Sequence, residues 1–370
     1  MSTDPLERTV LDERYDVRTL IGGGGMGLVY RARQRGIVSR DVAIKVLRIG
    51  TSDPAARERF HHEARIVGSL RHPNTIKLFD AGQLPDGRPY VVTELLRGRP
   101  LDVLLKSKPI PVDKVLRFAL QAAGSLREAH EEGIVHRDLK PANIFIEDIG
   151  SEEVLKVLDF GLAFDSRGAG QALTEAGFAV GTPEYMSPEQ ILGQAVGPRS
   201  DIYSLGATLY ESLCSEPVFA FGAPYVTMAK HVNEEPVPVH LRERGKSVPI
   251  EISDLVRRML SKSPDGRPGS MAELRVELAR LLRPLEAALP EAKWTEVPTL
   301  LEEAPEGFDR QSLEALRAEA HARRNSSAVA ALPTRDAEDS EPLVPISIVE
   351  TSELTRRDDS LARGFLPDPK

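Results

Sequence analysis

A single cysteine, Cys214, stands in 370 residues, so no disulfide can form within the chain, and a reducing, cytoplasmic setting is expected. Lying in an apolar stretch, that thiol reads as a packed and inert group. No charged-then-apolar leader opens the chain and no uninterrupted apolar run reaches spanning length, which argues against a membrane-anchored receptor. An excess of positive charge is missing too, since 56 acidic residues outnumber 48 basic ones. The imbalance is local. Residues Glu286–Lys370 hold 18 acidic and 10 basic side chains, which leaves 38 of each in residues 1–285. A neutral body with an acidic tail carries no electrostatic footprint for nucleic acid or anionic membrane. No repeat of solenoid length is visible.

What is present is enough for a sizeable core: 41% of residues are hydrophobic. The first third alternates β-type runs with turn signals, and strands are expected at Tyr15–Ile21, Gly27–Ala32, Asp41–Leu47, Thr75–Gly82 and Pro89–Leu95. One helix interrupts them, with Asp53 as its cap, Pro54 in its first turn, and Phe60, Ala64 and Val67 on one face. From about Leu101 the texture turns helical. Val112–Glu132 carries an apolar stripe stopped by Gly133, Asp201–Leu213 is apolar nearly all round, and Ser270–Leu282 is amphipathic and ends at Pro284. This pattern reads as an α+β chain: an N-terminal extension (1–14), a small β-rich lobe (15–95), a larger α-helical lobe (101–284), and an acidic, mostly disordered tail (285–370) with one helical candidate at Phe308–Arg324.

The run Ile21-Gly22-Gly23-Gly24-Gly25-Met26-Gly27 contains G-x-G-x-x-G. Alone it fits a flexible turn or a dinucleotide site. The dinucleotide reading needs a helix next, whereas Leu28-Val29-Tyr30 is a β-type run. A hairpin whose tip lacks Cβ atoms lets backbone N–H groups close over phosphates. Eighteen residues after Lys45, which ends the apolar strand Val42–Lys45, comes Glu63 on the capped helix. If paired with Glu63, Lys45 is held toward phosphates.

The densest signal is His136-Arg137-Asp138-Leu139-Lys140-Pro141-Ala142-Asn143, with Asp159-Phe160-Gly161 beginning sixteen residues after Asn143. Phosphoryl transfer demands a base beside the acceptor hydroxyl and hard oxygen ligands for Mg²⁺. Asp138 meets the first need, and Asn143 and Asp159 the second. Lys140 neutralises charge that builds on the transferred group.

These motifs resemble those of a eukaryotic-type (Hanks-type) serine/threonine protein kinase, nearest to the bacterial ones, whose glycine loop often reads G-x-G-G-M-G. The resemblance covers roughly Tyr15–Arg283. A-P-E appears as Ser187-Pro188-Glu189, the buried-helix motif as Asp201–Gly206, and the late arginine as Arg267. It implies the two-lobed protein kinase fold, ATP as phosphate donor, Mg²⁺ (Mn²⁺ as alternative), and protein substrates, with autophosphorylation among them, in bacterial signal transduction. By the same resemblance Thr93 is the gatekeeper, Glu94 and Leu96 bind adenine through their backbone, and Val29, Ala43 and Phe145 sandwich the base. Val67, Leu78, His136 and Phe160 match a stacked apolar column. Glu189 and Arg267 match a structural ion pair, and Asp201 an acceptor for the catalytic-loop backbone. Serine/threonine preference rests on Lys140 and on Thr182 bridging it and Asp138.

Two rivals are weighed. A pseudokinase usually loses the lysine, the base or a metal ligand, and here Lys45, Asp138, Asn143 and Asp159 are all present. A small-molecule phosphotransferase is disfavoured by the long segment from Asp159 to Glu189 and by its S-P-E. Within that segment Thr174 is the candidate phosphosite, with Arg137 and Arg59 as phosphate partners; Ser166 and Thr182 compete, and the apolar Phe164 departs from the pattern. In the tail, Thr299 and Thr355 each precede an acid by three residues, and once phosphorylated would suit a forkhead-associated domain. The oligomeric state is not legible.

Overall fold

The computed structural model describes residues 6–24, 27–37, 39–47, 54–107, 109–150, 152–160, 182–219, 222–287 and 346–347. Two compact units result. One comprises Met1–Ser69, Lys77–Leu96 and Pro345–Lys370; the other Leu70–Ile76 and Arg97–Val344. The expected tail helix at Phe308–Arg324 and the cap at Asp53 lie outside the described residues.

Among the described residues the first unit is a sheet with one helix. Its strands are β1 (Val10–Leu11), β2 (Tyr15–Gly24), β3 (Gly27–Gln34), β4 (Arg40–Leu47), β5 (Leu78–Gln83) and β6 (Pro89–Glu94), and its helix is α1 (Pro54–Ser69). They run in the order β1-β2-β3-β4-β6-β5, and the tail residues Ile346–Ser347 pair in parallel with Gly22–Gly23 of β2. Alternation along β4 turns Val42, Ile44 and Val46 into a core with Tyr15, Val17, Tyr30, Ala32, Tyr90 and Val92, which leaves Ala43 and Lys45 on the other face. At the start of β3 a Cβ on Gly27 would sit 2.2 Å from the Val46 carbonyl oxygen, so only glycine permits this approach. Strand β1 precedes the start expected at Tyr15. It pairs with Tyr15–Asp16, and the turn after it places Asp12 to accept a hydrogen bond from the Tyr90 hydroxyl.

The second unit is mainly helical. Strand β7 (Gly98–Pro100) is followed by α2 (Leu101–Ser107) and α3 (Val112–Glu131). The hairpin β8 (Ile144–Ile149) and β9 (Glu152–Val157) joins β7 in a small sheet. Then come α4 (Pro188–Ile191), α5 (Pro198–Cys214), α6 (Pro224–Asn233), α7 (Ile250–Met259) and α8 (Met271–Ala287). Helix α5 is buried from Ser200 to Cys214 except at Glu211 and starts at Pro198, a residue suited to a first helical turn. Its hydroxyls spend themselves internally: Thr208 and Ser212 donate to the carbonyls of Ser204 and Thr208 at 3.0 and 2.8 Å. Two expectations need correction. The hairpin β8–β9 interrupts the region read as helical, because Ile144-Phe145-Ile146 is a β-type run turned at Gly150, whose φ is 63°. Helix α8 also continues past Pro284 to Ala287. A proline in the last turn removes a single backbone bond, and Glu286 anchors the end to Arg117 of α3 at 3.3 Å.

Candidate active site

Asp201, buried in the first turns of α5, organises the loop that follows α3. Its carboxylate accepts from the backbone N–H of His136 at 2.8 Å and of Arg137 at 3.0 Å, and pairs with His130 Nε2 at 2.7 Å. A carboxylate near a helix N-terminus is itself stabilised by the helix dipole. Held there, Arg137 adopts a left-handed backbone, φ 66°, a strained conformation of the kind that gathers at functional sites. A second tether comes from α4. Ser187 and Gln190 form a capping box, and Gln190 Nε2 donates to the Arg137 carbonyl at 2.6 Å. Gln190 escaped the sequence reading, although Ser187-x-x-Gln190 is a readable capping signature.

The loop so fixed brings Asp138, Lys140, Asn143 and Thr182 together. Lys140 Nζ lies 2.9 Å from Asp138 Oδ2 and donates to Thr182 Oγ1 at 2.9 Å. Asn143 Nδ2 donates to the Asp138 carbonyl at 2.7 Å and to its Oδ2 at 3.0 Å. The carboxylate thus has a fixed direction and a cation beside it. Leu158 N donates to the Asn143 carbonyl at 2.9 Å, which sets Asp159, also left-handed at φ 56°, beside Asn143. His136 Nε2 meets the Leu158 carbonyl at 2.7 Å and its ring lies 4.9 Å from that of Phe160.

Both hydrogens of the Asn143 amide point at Asp138, so its oxygen is the atom left to offer a cation, and Asp159 adds a carboxylate. No group of three or more acidic, imidazole or thiol ligands occurs among the described residues. Two oxygen ligands would fit a divalent cation that drew further ligands from elsewhere, and would not suffice for a site closed by protein alone.

In the β-rich unit, strand register puts the other candidates on one face. Val29 lies opposite Lys45 across β3–β4, and Ala43 opposite Thr93 across β4–β6. Directly opposed residues share a face, so Val29, Lys45, Ala43 and Thr93 line one surface beside Ile21, Gly22, Gly23, Gly24 and Gly27. Gly25 and Met26 lie outside the described residues. Glu63 is half-buried on α1, one turn before the buried Val67, and Arg59 is exposed one turn earlier. Glu94 ends β6; its N–H donates to the Lys77 carbonyl at 3.0 Å and its side chain accepts from Lys77 N at 2.9 Å. Leu96 is half-buried at the end of this unit, while Phe145 belongs to the helical one and is buried in β8.

A scaffold surrounds the turn Pro183–Tyr185. Glu189 of α4 and Arg267 form a buried bidentate pair at 2.7 and 2.8 Å, and Ser200 Oγ donates to Glu189 at 2.6 Å. The Tyr185 hydroxyl donates to Glu211, which the sequence reading also missed. Burial pushes both of those groups above their ordinary values, so the phenol stays protonated. Thr174, Ser166 and Phe164 lie outside the described residues.

This fold and motif set define a protein kinase, and the comparisons agree. A protein kinase domain model matches residues 15–277, and the chain belongs to that family, whose members use ATP and a divalent metal. It is 40% identical over 281 residues to the serine/threonine-protein kinase pkn3 of Myxococcus xanthus, covering 75% of this chain and 51% of that one. With the serine/threonine-protein kinase PknB of Mycolicibacterium smegmatis it shares 38% identity over 276 residues, 73% of this chain and 43% of that protein. The chain thus spans about half the length of these curated relatives. The crystal structure of the Mycobacterium tuberculosis PknI kinase domain matches with a TM-score of 0.60 at 24% identity, over 75% of this chain and 99% of that one, a likeness of fold. No helix among the described residues is long and apolar enough to cross a membrane.

Proposed function

We propose that this chain is a bacterial serine/threonine protein kinase that moves the γ-phosphate of ATP to serine and threonine hydroxyls of proteins, its own included. The observation that carries this reading is Lys140 Nζ bridging Asp138 and Thr182 Oγ1. Asp138 takes the proton of the acceptor hydroxyl, Lys140 meets the charge that builds on the transferred group, and Thr182 steers the acceptor. Asn143 and Asp159 would hold Mg²⁺, which would supply positive charge against the ATP phosphates. Ile21–Gly27 would cover those phosphates, Lys45 oriented by Glu63 would position them, and Val29, Ala43, Thr93, Glu94, Leu96 and Phe145 would hold adenine.

We take the kinase domain as residues 15–284, between the segment 1–14 and the tail 285–370. Thr182, already engaged by Lys140, suits the substrate site better than a phosphosite, so Thr174 is the proposed switch, with Arg137 and Arg59 as partners. Phosphorylated tail threonines would recruit a forkhead-associated domain in the cytoplasm. The test is phosphate transfer from labelled ATP into protein by the full chain, with Mg²⁺ and with excess chelator. Asp138→Asn should lower transfer by about 10²–10⁴-fold, and chelator should abolish it. Wild-type turnover by folded Asp138→Asn would refute the assignment.

A further inference from the structure

The turn that carries Thr182 is fixed from below. Ser204 Oγ of α5 donates to the Tyr185 carbonyl at 2.8 Å, and α6 packs directly against Pro183–Tyr185. On the buried face of α6 stands His231, with no exposure to solvent. Its Nδ1 lies 2.8 Å from the Tyr203 hydroxyl. Burial pushes the Tyr203 phenol well above its ordinary value, so that hydroxyl is a donor and Nδ1 accepts. The ring proton therefore sits on Nε2.

That nitrogen is buried and closes no hydrogen bond among the described residues; neither does Thr227 Oγ1, one turn earlier on the same face of α6. Buried donors of this kind call for a partner. Phe219 packs edge-on at 4.9 Å and the Lys262 ammonium stands 5.0 Å from the centre of the Phe219 ring. Burial first, and then Lys262, hold His231 down to about 4, and the backbone of Glu184 is the opposing influence from the turn. The imidazole is thus a neutral donor on the helix that packs against the turn Pro183–Tyr185.

We propose that His231 is a positioning residue for the protein acceptor: its Nε2–H, kept in that tautomer by Tyr203, seats the Glu184 carbonyl on α6 and so holds Thr182 at Lys140. The inference rests on the kinase reading and goes beyond it by giving α6 a part in acceptor alignment. A fault there spoils transfer to a protein hydroxyl more than transfer to water, which needs no aligned chain.

The test compares two rates in full-length protein: phosphate incorporated into serine and threonine, with casein added as acceptor, and inorganic phosphate released from ATP. His231→Phe should cut the ratio of the first to the second by about tenfold or more. His231→Gln keeps an N–H donor where Nε2 lies and should restore the ratio to within about threefold; His231→Asn, which mimics Nδ1 instead, should not. Tyr203→Phe frees the tautomer and should give an intermediate ratio. If His231→Phe does not fold, as judged by circular dichroism, the Gln and Asn pair carries the test. An unchanged ratio, or rescue by Asn equal to that by Gln, overturns the proposal. Wild-type protein that releases phosphate but labels no serine or threonine would instead sink the kinase reading itself.

Discussion

Replacing Arg267 with methionine takes a guanidinium from a buried place where it is paired on every nitrogen. Its Nη1 and Nη2 meet Glu189 at 2.7 and 2.8 Å, Nε donates to the Ser261 carbonyl at 2.8 Å, and Nη1 and Nη2 also reach the carbonyls of Arg199 and Lys262 at 2.9 and 3.1 Å. Both residues are 4% exposed. The variant leaves Glu189 buried with Ser200 as its remaining side-chain donor and deprives three carbonyls of a partner. Breaking a buried pair from one side costs about 3–5 kcal/mol, against a total stability of about 5–15 kcal/mol for a typical domain. A loss of roughly a fifth or more of the stability is therefore expected. The double variant Glu189→Leu with Arg267→Met removes the stranded charge and should recover about 1–3 kcal/mol of that loss.

Acid dependence supplies a second reading of the same pair. Burial pushes the Glu189 carboxyl up, but hydrogen bonds from Arg267 and Ser200 outweigh it and hold it below its ordinary value of 4.5. A carboxyl depressed in the folded state stabilises fully above its unfolded value and loses that contribution as pH falls through the folded one. The gap between wild type and Arg267→Met should thus narrow below about pH 4.5. Urea unfolding followed by far-ultraviolet circular dichroism measures all three proteins. A single-variant loss under about 1 kcal/mol, or a double variant less stable than the single, would refute the reasoning.

Two further outcomes are expected. Asp201→Asn keeps the shape but turns an N–H₂ toward the donors of His136 and Arg137; kcat should fall by about 10–100-fold with the KM for ATP little changed, and steady-state kinetics showing kcat within about twofold of wild type would contradict it. Burial raises the Cys214 thiol to about 11 and its Sγ donates to the Tyr210 carbonyl at 3.0 Å. Labelling by a disulfide reagent at pH 8 should therefore be at least about 100-fold slower in native than in urea-unfolded protein; equal rates would place the thiol at the surface.

Much of this was legible in the sequence because the signals are local. The alternation Val42, Ile44, Val46 announced β4, and the all-round apolar run after Asp201 announced a buried α5. Asp138, Lys140 and Asn143 were readable as a group because they lie within six residues of one another. What escaped reading depends on distant partners. Gln190 reaches Arg137 across 53 residues and Tyr185 reaches Glu211 across 26, and no periodicity reports such a meeting. The hairpin β8–β9 was lost because its strands fall between Asn143 and Asp159, in a stretch otherwise helical. Helix α8 outran its proline because the side-chain tie to Arg117 lies on another helix.

The attachment of the loop His136–Asn143 to α5 has a consequence for how such a chain changes over time. Asp201 grips His136 and Arg137 by their backbone and stands on a helix walled in by the core. Backbone amides are the same whatever side chains surround them, so the grip makes no demand on the identity of neighbouring surface residues. Solvent-open positions between α5 and α7 such as Tyr225, Val237 and Leu241 can therefore be rewritten without disturbing Asp138. A lineage holding this one foundation is free to change the surface around the loop while the loop itself stays as it was.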